Sequence, residues 1–143
     1  VAAALEGLDY QAVLNEDYAE GMASSLRAGV GAAECFDAVA VLLADMPRIE
    51  PSTIDALLRE FARQEEPAIV VATYKGRWGH PVIWPAKFFP DLMKLHGDVG
   101  GKGLLEKSAR HVVEVDVGTD SIFMDIDTVD DLAAANRLPL QAN

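Results

Sequence analysis

The sequence has one cysteine, Cys35, among 143 residues. An internal disulfide is therefore impossible, and the chain suits a reducing compartment. No His neighbours Cys35 to form a catalytic pair or a metal cluster, so it reads as a small core residue. Histidines number three, and no two stand at ligand spacing, which removes a zinc site from consideration. His96 and His111 read as surface or satisfied histidines. No apolar run approaches the roughly 20 residues that a membrane-crossing helix needs. No basic leader precedes an apolar core, so the expectation is a cytoplasmic protein without a secretory signal. Positive charge is scarce as well: 12 Lys and Arg against 23 Asp and Glu leave a net charge of −11. Such a surface argues against nucleic acid and anionic membranes as partners. There is no internal repeat and no linker that would divide the chain, so residues 1–143 read as one domain.

What is present is a chain with 50% apolar residues, enough for a real core and too many for disorder. Its most informative stretch is Asp37-Ala-Val-Ala-Val-Leu-Leu-Ala-Asp45-Met-Pro47. The apolar run has no alternation, so both faces want burial, and it reads as a central strand of a parallel sheet. Such sheets bind ligands beyond the carboxyl ends of their strands, where Asp45 would stand. Asp45 also reads as a turn residue capping the Met46-Pro47 bend.

Around that strand the chain reads as alternating elements. Val1 to Gly7 looks like the tail of a helix ending at glycine, and Gln11 to Leu14 is a short strand candidate. Ser24 and Ser25 open a helix with Met22, Leu26 and Val30 on one face. Pro51-Ser52 starts a second helix, on which Ile54, Leu57, Leu58 and Phe61 follow amphipathic spacing. Ala68 to Thr73 is another two-sided strand, completing a βαβ unit with an expected right-handed crossover. A loop from Tyr74 to Pro81 precedes a brief strand, Val82 to Trp84. A short helix, Pro85 to Leu95, is interrupted at Pro90. Leu104 to Ala109 is helical, Val112 to Val117 and Ile122 to Asp127 are strands, and Thr128 to Asn136 closes the chain as a helix.

Chemistry is suggested at four places. Asp125 and Asp127, paired acids after a strand, suit Mg²⁺ with substrate phosphates completing its shell; alternatively Asp127 or Thr128 caps the last helix, with Asp130 and Asp131 at its positive end. Asn15, Gly21, Ser24 and Ser25 form a glycine loop opening a helix, which would present backbone N–H groups to an anion or a polar base edge. Gly79-His80-Pro81 gives a rigid turn bearing one imidazole. Gly100-Gly101-Lys102-Gly103 would bring backbone and one ammonium to a phosphate, although it lacks P-loop spacing. Trp78 and Trp84 suit stacking on a flat heterocycle, with core packing the simpler role for Trp84.

Taken together, these residues resemble a known family. They are Asn15…Gly21-Met22…Ser24-Ser25-Leu26-Arg27-Ala28-Gly29, Leu43-Ala44-Asp45-Met46-Pro47, Gly79-His80-Pro81, Gly97-Asp98…Gly100…Gly103-Leu104-Leu105, and Asp125-Ile126-Asp127-Thr128…Asp131-Leu132. The chain is similar to the MobA-like NTP transferases, nearest the molybdopterin cytidylyltransferase (MocA-type) branch. The resemblance implies a three-layer α/β/α Rossmann-like nucleotidyltransferase fold with a mostly parallel sheet. It implies attack of a molybdopterin phosphate on the α-phosphate of CTP or GTP, with release of pyrophosphate. Asp45 matches the family's Mg²⁺-binding aspartate, and Asp127, with Asp125 as alternative, the second carboxylate near the metal. Ser25 and the Gly21 loop match the segment beside the base, with Asn15 and Ser24 in the same segment; His80, Gly101 and Lys102 are the substrate-binding candidates. The family opens with a strand and a loop of the type Leu-Ala-Ala-Gly-x-Ser-x-Arg-Met-Gly, followed by lysine. This sequence has none of them, so it is expected to start some way into the domain and to expose apolar sheet surface through which it dimerises. Two alternatives stand beside the transferase: an inactive or truncated nucleotide-binding remnant, and a metal-dependent nucleotide-sugar glycosyltransferase.

Overall fold

The structure is a computed structural model that describes residues 5–137. Four strands form one sheet, β1 (Ala38–Val41), β2 (Ile69–Tyr74), β3 (Arg77–Pro85) and β4 (Val112–Asp116), in the order β1-β3-β2-β4. β3 pairs antiparallel with β1 and with β2, whereas β2 and β4 are parallel. Three of the four strands therefore share a direction and β3 opposes them, giving the mostly parallel sheet expected.

Alternate residues of the central strands feed two separate cores. Ile69, Val71, Val82 and Trp84 pack with Val30, Leu92 and Leu105 on one face. Val70, Ala72 and Ile83 pack with Leu57 and Ile122 on the other. The first face is covered by α1 (Met22–Ala32), α3 (Phe89–Leu92) and α4 (Lys102–Lys107), the second by α2 (Pro51–Arg63). This is the three-layer α/β/α arrangement, and the period-two alternation of β2 and β3 creates it. The last helix, α5 (Val129–Arg137), follows a short 3-10 turn at Asp120–Phe123.

Of the two interior strands, β3 and β2, β2 is buried along almost its whole length. The run after Asp37, expected to be central, forms strand only over Ala38–Val41 and is half-buried. It has a partner on one side only among the described residues, which leaves its other flank open. β1 and β2 do point the same way across α2, but β3 lies between them, so the βαβ unit spans an intervening strand.

The segment expected to be a loop before Val82 is instead a hairpin. Lys75 (φ 51°) and Gly76 (φ 73°) are the two central residues of a tight turn between β2 and β3. Positive φ at both positions matches the twist of the flanking strands. Farther along β3 the register slips between Val71 and Thr73, leaving Gly79, His80 and Pro81 opposite Ala72. A bulge tolerates a proline that a regular ladder would not.

Other expectations fare differently. Gln11–Leu14 makes no strand. The stretch from Ile122 to Asp127 is a 3-10 turn followed by unpaired extended chain. Cys35 is exposed, not a core residue. Gly7, where the helix tail was read to end, has φ 86°; most of that segment, residues 1–4, lies outside the described residues.

Candidate active site

A cleft of about 770 Å³ opens on the α1 face of the sheet. Its floor is apolar, built from Val39, Val41, Val82, Trp84 and Leu105. Its rim carries the polar residues Ser25, His80, Lys102 and Asp125. Residues from widely separated parts of the chain meet there because β1, β3, α1 and α4 all abut this face.

The group Asn15, Gly21, Ser24 and Ser25 is assembled as the sequence suggests, with one difference. The Asn15 amide nitrogen donates to Ser24 Oγ at 2.8 Å and to Ser25 Oγ at 2.9 Å. Ser24 Oγ donates to the Gly21 carbonyl at 2.8 Å, and Asp17 N–H donates to Asn15 Oδ1 at 3.0 Å. Ser24 is buried, whereas Ser25 is exposed and faces the cleft. The difference concerns Gly21 and the start of α1. The N–H groups expected to be open to an anion are engaged within the protein: Ala23 N–H donates to the Gly97 carbonyl at 3.1 Å and Ser24 N–H to the Gly21 carbonyl at 3.1 Å. The Asp98 carboxylate lies 3.5 Å from the Met22 nitrogen, placing negative charge at the helix's positive end. Gly21 itself has φ 104°, and a Cβ there would come within 2.7 Å of the Gly97–Asp98 backbone. The missing side chain permits the close approach of two chain segments. Arg27, largely buried, ties the same region together through Glu20 at 2.7 Å and the Leu95 carbonyl at 2.6 Å.

The acids come together through the backbone. Ile126 N–H donates to the Asp45 carbonyl at 2.9 Å, so the turn after β1 and the 125–127 segment lie side by side. Asp45 sits in a turn beyond the end of β1 and is exposed, as are Asp125 and Asp127. The member that lines the cleft is Asp125, where Asp127 was the first choice from sequence. Asp127 immediately precedes the cap of α5. There Thr128 N–H and Oγ1 donate to Asp131 Oδ2 at 2.8 and 2.6 Å, and Asp131 N–H donates to Thr128 Oγ1 at 3.1 Å. This reciprocal cap settles Thr128 as the capping residue, and the Thr128 hydroxyl, ahead of backbone donors, holds the Asp131 carboxyl below its ordinary range. Among the described residues no three acidic, His or Cys side chains converge as a preformed metal cage. The segments bearing Asp45, Asp125 and Asp127 are thus neighbours in the fold, joined by the Ile126–Asp45 backbone contact, while their side chains do not close on one point.

The remaining candidates line the cleft. His80 is half-buried in the bulge, with Nδ1 3.5 Å from the Val41 carbonyl. A Cβ at Gly101 would lie 2.9 Å from the Trp84 ring, so this glycine lets the loop close over the indole. Lys102 follows as an exposed ammonium at the start of α4. Trp84 is buried, as its core role predicts, while Trp78 donates from Nε1 to Glu114 at 2.8 Å. Sequence reasoning passed over Met46 and Phe123, both of which line the cleft. Met46 carried a signal, since it lies between Asp45 and Pro47; Phe123 carried none, because its segment was read as strand.

Residues 1–113 match the MobA-like NTP transferase domain. The chain belongs to this family. A curated family relative, nicotine blue oxidoreductase of Paenarthrobacter nicotinovorans, is 30% identical over 131 residues, covering 86% of this chain and 63% of the relative. The crystal structure of Rv0371c from Mycobacterium tuberculosis H37Rv superposes with a TM-score of 0.76 at 29% identity, covering 97% of this chain and 70% of that one. The structure of Rv0371c in complex with manganese gives a TM-score of 0.61 at 31% identity over 77% of this chain and 58% of that one. An Rv0371c homologue from Mycobacterium sp. strain JC1 gives 0.66 at 29% identity, over 80% of this chain and 56% of that one. The chain thus spans less than two thirds of the length of several of these relatives. No helix among the described residues is long and apolar enough to cross a membrane.

Proposed function

We propose that this chain acts as a single nucleotidyltransferase domain that uses a divalent cation, Mg²⁺ or Mn²⁺, and transfers CMP or GMP from CTP or GTP to a molybdopterin phosphate. The observation that carries the reading is the contact of the Asp45 turn with the 125–127 segment at the mouth of a cleft. Family membership supports it, and so does the manganese complex of Rv0371c. The donor chemistry fits such an ion. Small divalent cations prefer hard oxygen ligands, keep several waters, and are commonly held by one or two carboxylates plus substrate phosphates. Asp45 with Asp125 or Asp127 supplies that kind of partial set. When bound, the cation would offset charge on the nucleotide phosphates.

The chain's own residues would bind and orient the reactants. Ser25 would meet the nucleotide, Lys102 would bring positive charge to a phosphate, and the apolar floor would exclude water from the reacting groups. In the transfer, an acceptor phosphate oxygen bonds to the α-phosphorus while the bond to pyrophosphate breaks. The nucleophile is already ionised, so no general base is required, and positioning with charge neutralisation carries the rate.

The test is pyrophosphate release from CTP or GTP with molybdopterin and Mg²⁺ or Mn²⁺, comparing the chain with Asp45→Ala. The expected result is metal-dependent release that the substitution abolishes while circular dichroism stays unchanged. Equal turnover by the variant contradicts the assignment. A second reading, oxidoreductase activity, is favoured by the name of the 30% identical relative. Oxidation or reduction of nicotine blue with a supplied redox partner, without nucleotide transfer, would select it. The open flank of β1, with Phe36 and Leu42 exposed beside it, further suggests a homodimer; sedimentation at a single monomer mass removes that suggestion.

A further inference from the structure

Asn15 was grouped with the nucleotide-binding candidates, but both of its side-chain N–H donors are engaged within the protein in this geometry. A backbone N–H can only donate, so the Asp17 N–H at 3.0 Å fixes which end of the Asn15 amide is the oxygen. The amide nitrogen must then face the two serines, and its two protons go to Ser24 Oγ and Ser25 Oγ. A backbone carbonyl can only accept, so the Ser24 hydroxyl proton is directed to the Gly21 oxygen. Every direction in the network is therefore set by a group whose role is unambiguous. One proton remains. The Ser25 hydroxyl accepts from Asn15, has no acceptor of its own among the described residues, and lines the cleft.

We propose that Asn15 is a positioning residue that polarises the Ser25 hydroxyl outward, making Ser25 a hydrogen-bond donor to an acceptor atom of the bound nucleotide. The acceptor is a phosphate oxygen or a carbonyl or ring nitrogen of the base. The inference rests on the nucleotide-binding reading and adds to it a polarity: the ligand atom at Ser25 is an acceptor, and a ligand presenting an N–H there is disfavoured.

A double-mutant cycle isolates this effect from simple structural support. In Asn15→Asp the carboxylate keeps the Asp17 contact but offers an acceptor to the serines, so the Ser25 proton turns inward. Binding of CTP, GTP and inorganic tripolyphosphate to the full chain is measured calorimetrically with Mn²⁺. Ser25→Ala is expected to weaken nucleotide binding about three- to tenfold when residue 15 is asparagine, the range of one net hydrogen bond. In the Asn15→Asp background the same substitution is expected to cost less than about twofold. The added negative charge is common to both arms of that comparison and cancels. Equal losses in the two backgrounds, or no loss from Ser25→Ala alone, overturn the proposal. A parallel loss for tripolyphosphate places the acceptor on a phosphate; an unchanged tripolyphosphate affinity places it on the base. Should Asn15→Asp fail to fold, the Ser25→Ala arm still decides between loss and no loss. If the unaltered chain binds no nucleotide, the nucleotidyltransferase reading fails. The orientation is then judged without ligand, by hydrogen exchange of the Asn15 side-chain amide. Slow exchange that Ser25→Ala accelerates supports it, and free exchange overturns it.

Discussion

Gly21 shows how a single missing side chain joins two parts of the chain. Its φ of 104° and the 2.7 Å gap to the Gly97–Asp98 backbone leave no room for a Cβ. Gly21→Ala is expected to destabilise the protein by about 2 kcal/mol or more, combining left-handed backbone strain with a backbone clash. Thermal unfolding checks this, and an unchanged midpoint would contradict it. Ser121 is the opposite case. Its hydroxyl is buried without a partner among the described residues, and an unsatisfied buried polar atom costs about 1–3 kcal/mol. Ser121→Ala is therefore expected to leave stability unchanged or raise it by about 1 kcal/mol; a clear loss in denaturant melts would show a hidden partner. Much at this scale was legible in the sequence. Asn15, Ser24 and Ser25 could be grouped because loop and helix start are contiguous. The choice between Asp125 and Asp127 could not be read, because it depends on which way an unpaired segment turns after the 3-10 turn at Asp120–Phe123.

Among the elements, α5 offers the clearest control. Its cap links Thr128 and Asp131 in both directions, and Thr128→Ala is expected to cost about 1 kcal/mol. The pH dependence has a definite sign. Asp131 titrates below its ordinary value of 3.8 in the folded protein, so its contribution is present above that value and is lost as pH falls through the lower folded value. Loss of helicity in this acid window is expected for the unaltered chain and a flatter profile for Thr128→Ala; identical profiles would contradict the cap's role. Elements whose burial is written in local periodicity, such as α1, α2, β2 and β4, could be read in advance, as could α4 and α5 to within about two residues. Those that could not depend on partners elsewhere in the chain. Gln11–Leu14 and the segment after Ile122 have suitable residues but no strand pairing among the described residues. The Lys75-Gly76 hairpin was missed although its short turn between Tyr74 and Arg77 is a local signal, because the glycines nearby suggested a loop.

For the molecule as a whole, charge and architecture pull in different directions. A net charge of −11 opposes binding of a polyphosphate, and the cleft rim contributes Lys102 against Asp125. A bound divalent cation would ease this conflict by supplying positive charge beside the carboxylates. On the proposed function, nucleotide affinity is therefore expected to depend on the cation, with the cation held where the turn after β1 meets the 125–127 segment. The most direct test is a Mn²⁺ titration of the ¹⁵N-labelled chain in the presence of CTP, following paramagnetic broadening residue by residue. The amide signals of Asp45, Met46 and Ile126 are expected to broaden first, and Asp45→Ala is expected to remove this selectivity. Broadening centred elsewhere, or spread evenly over the acidic surface, would contradict that placement.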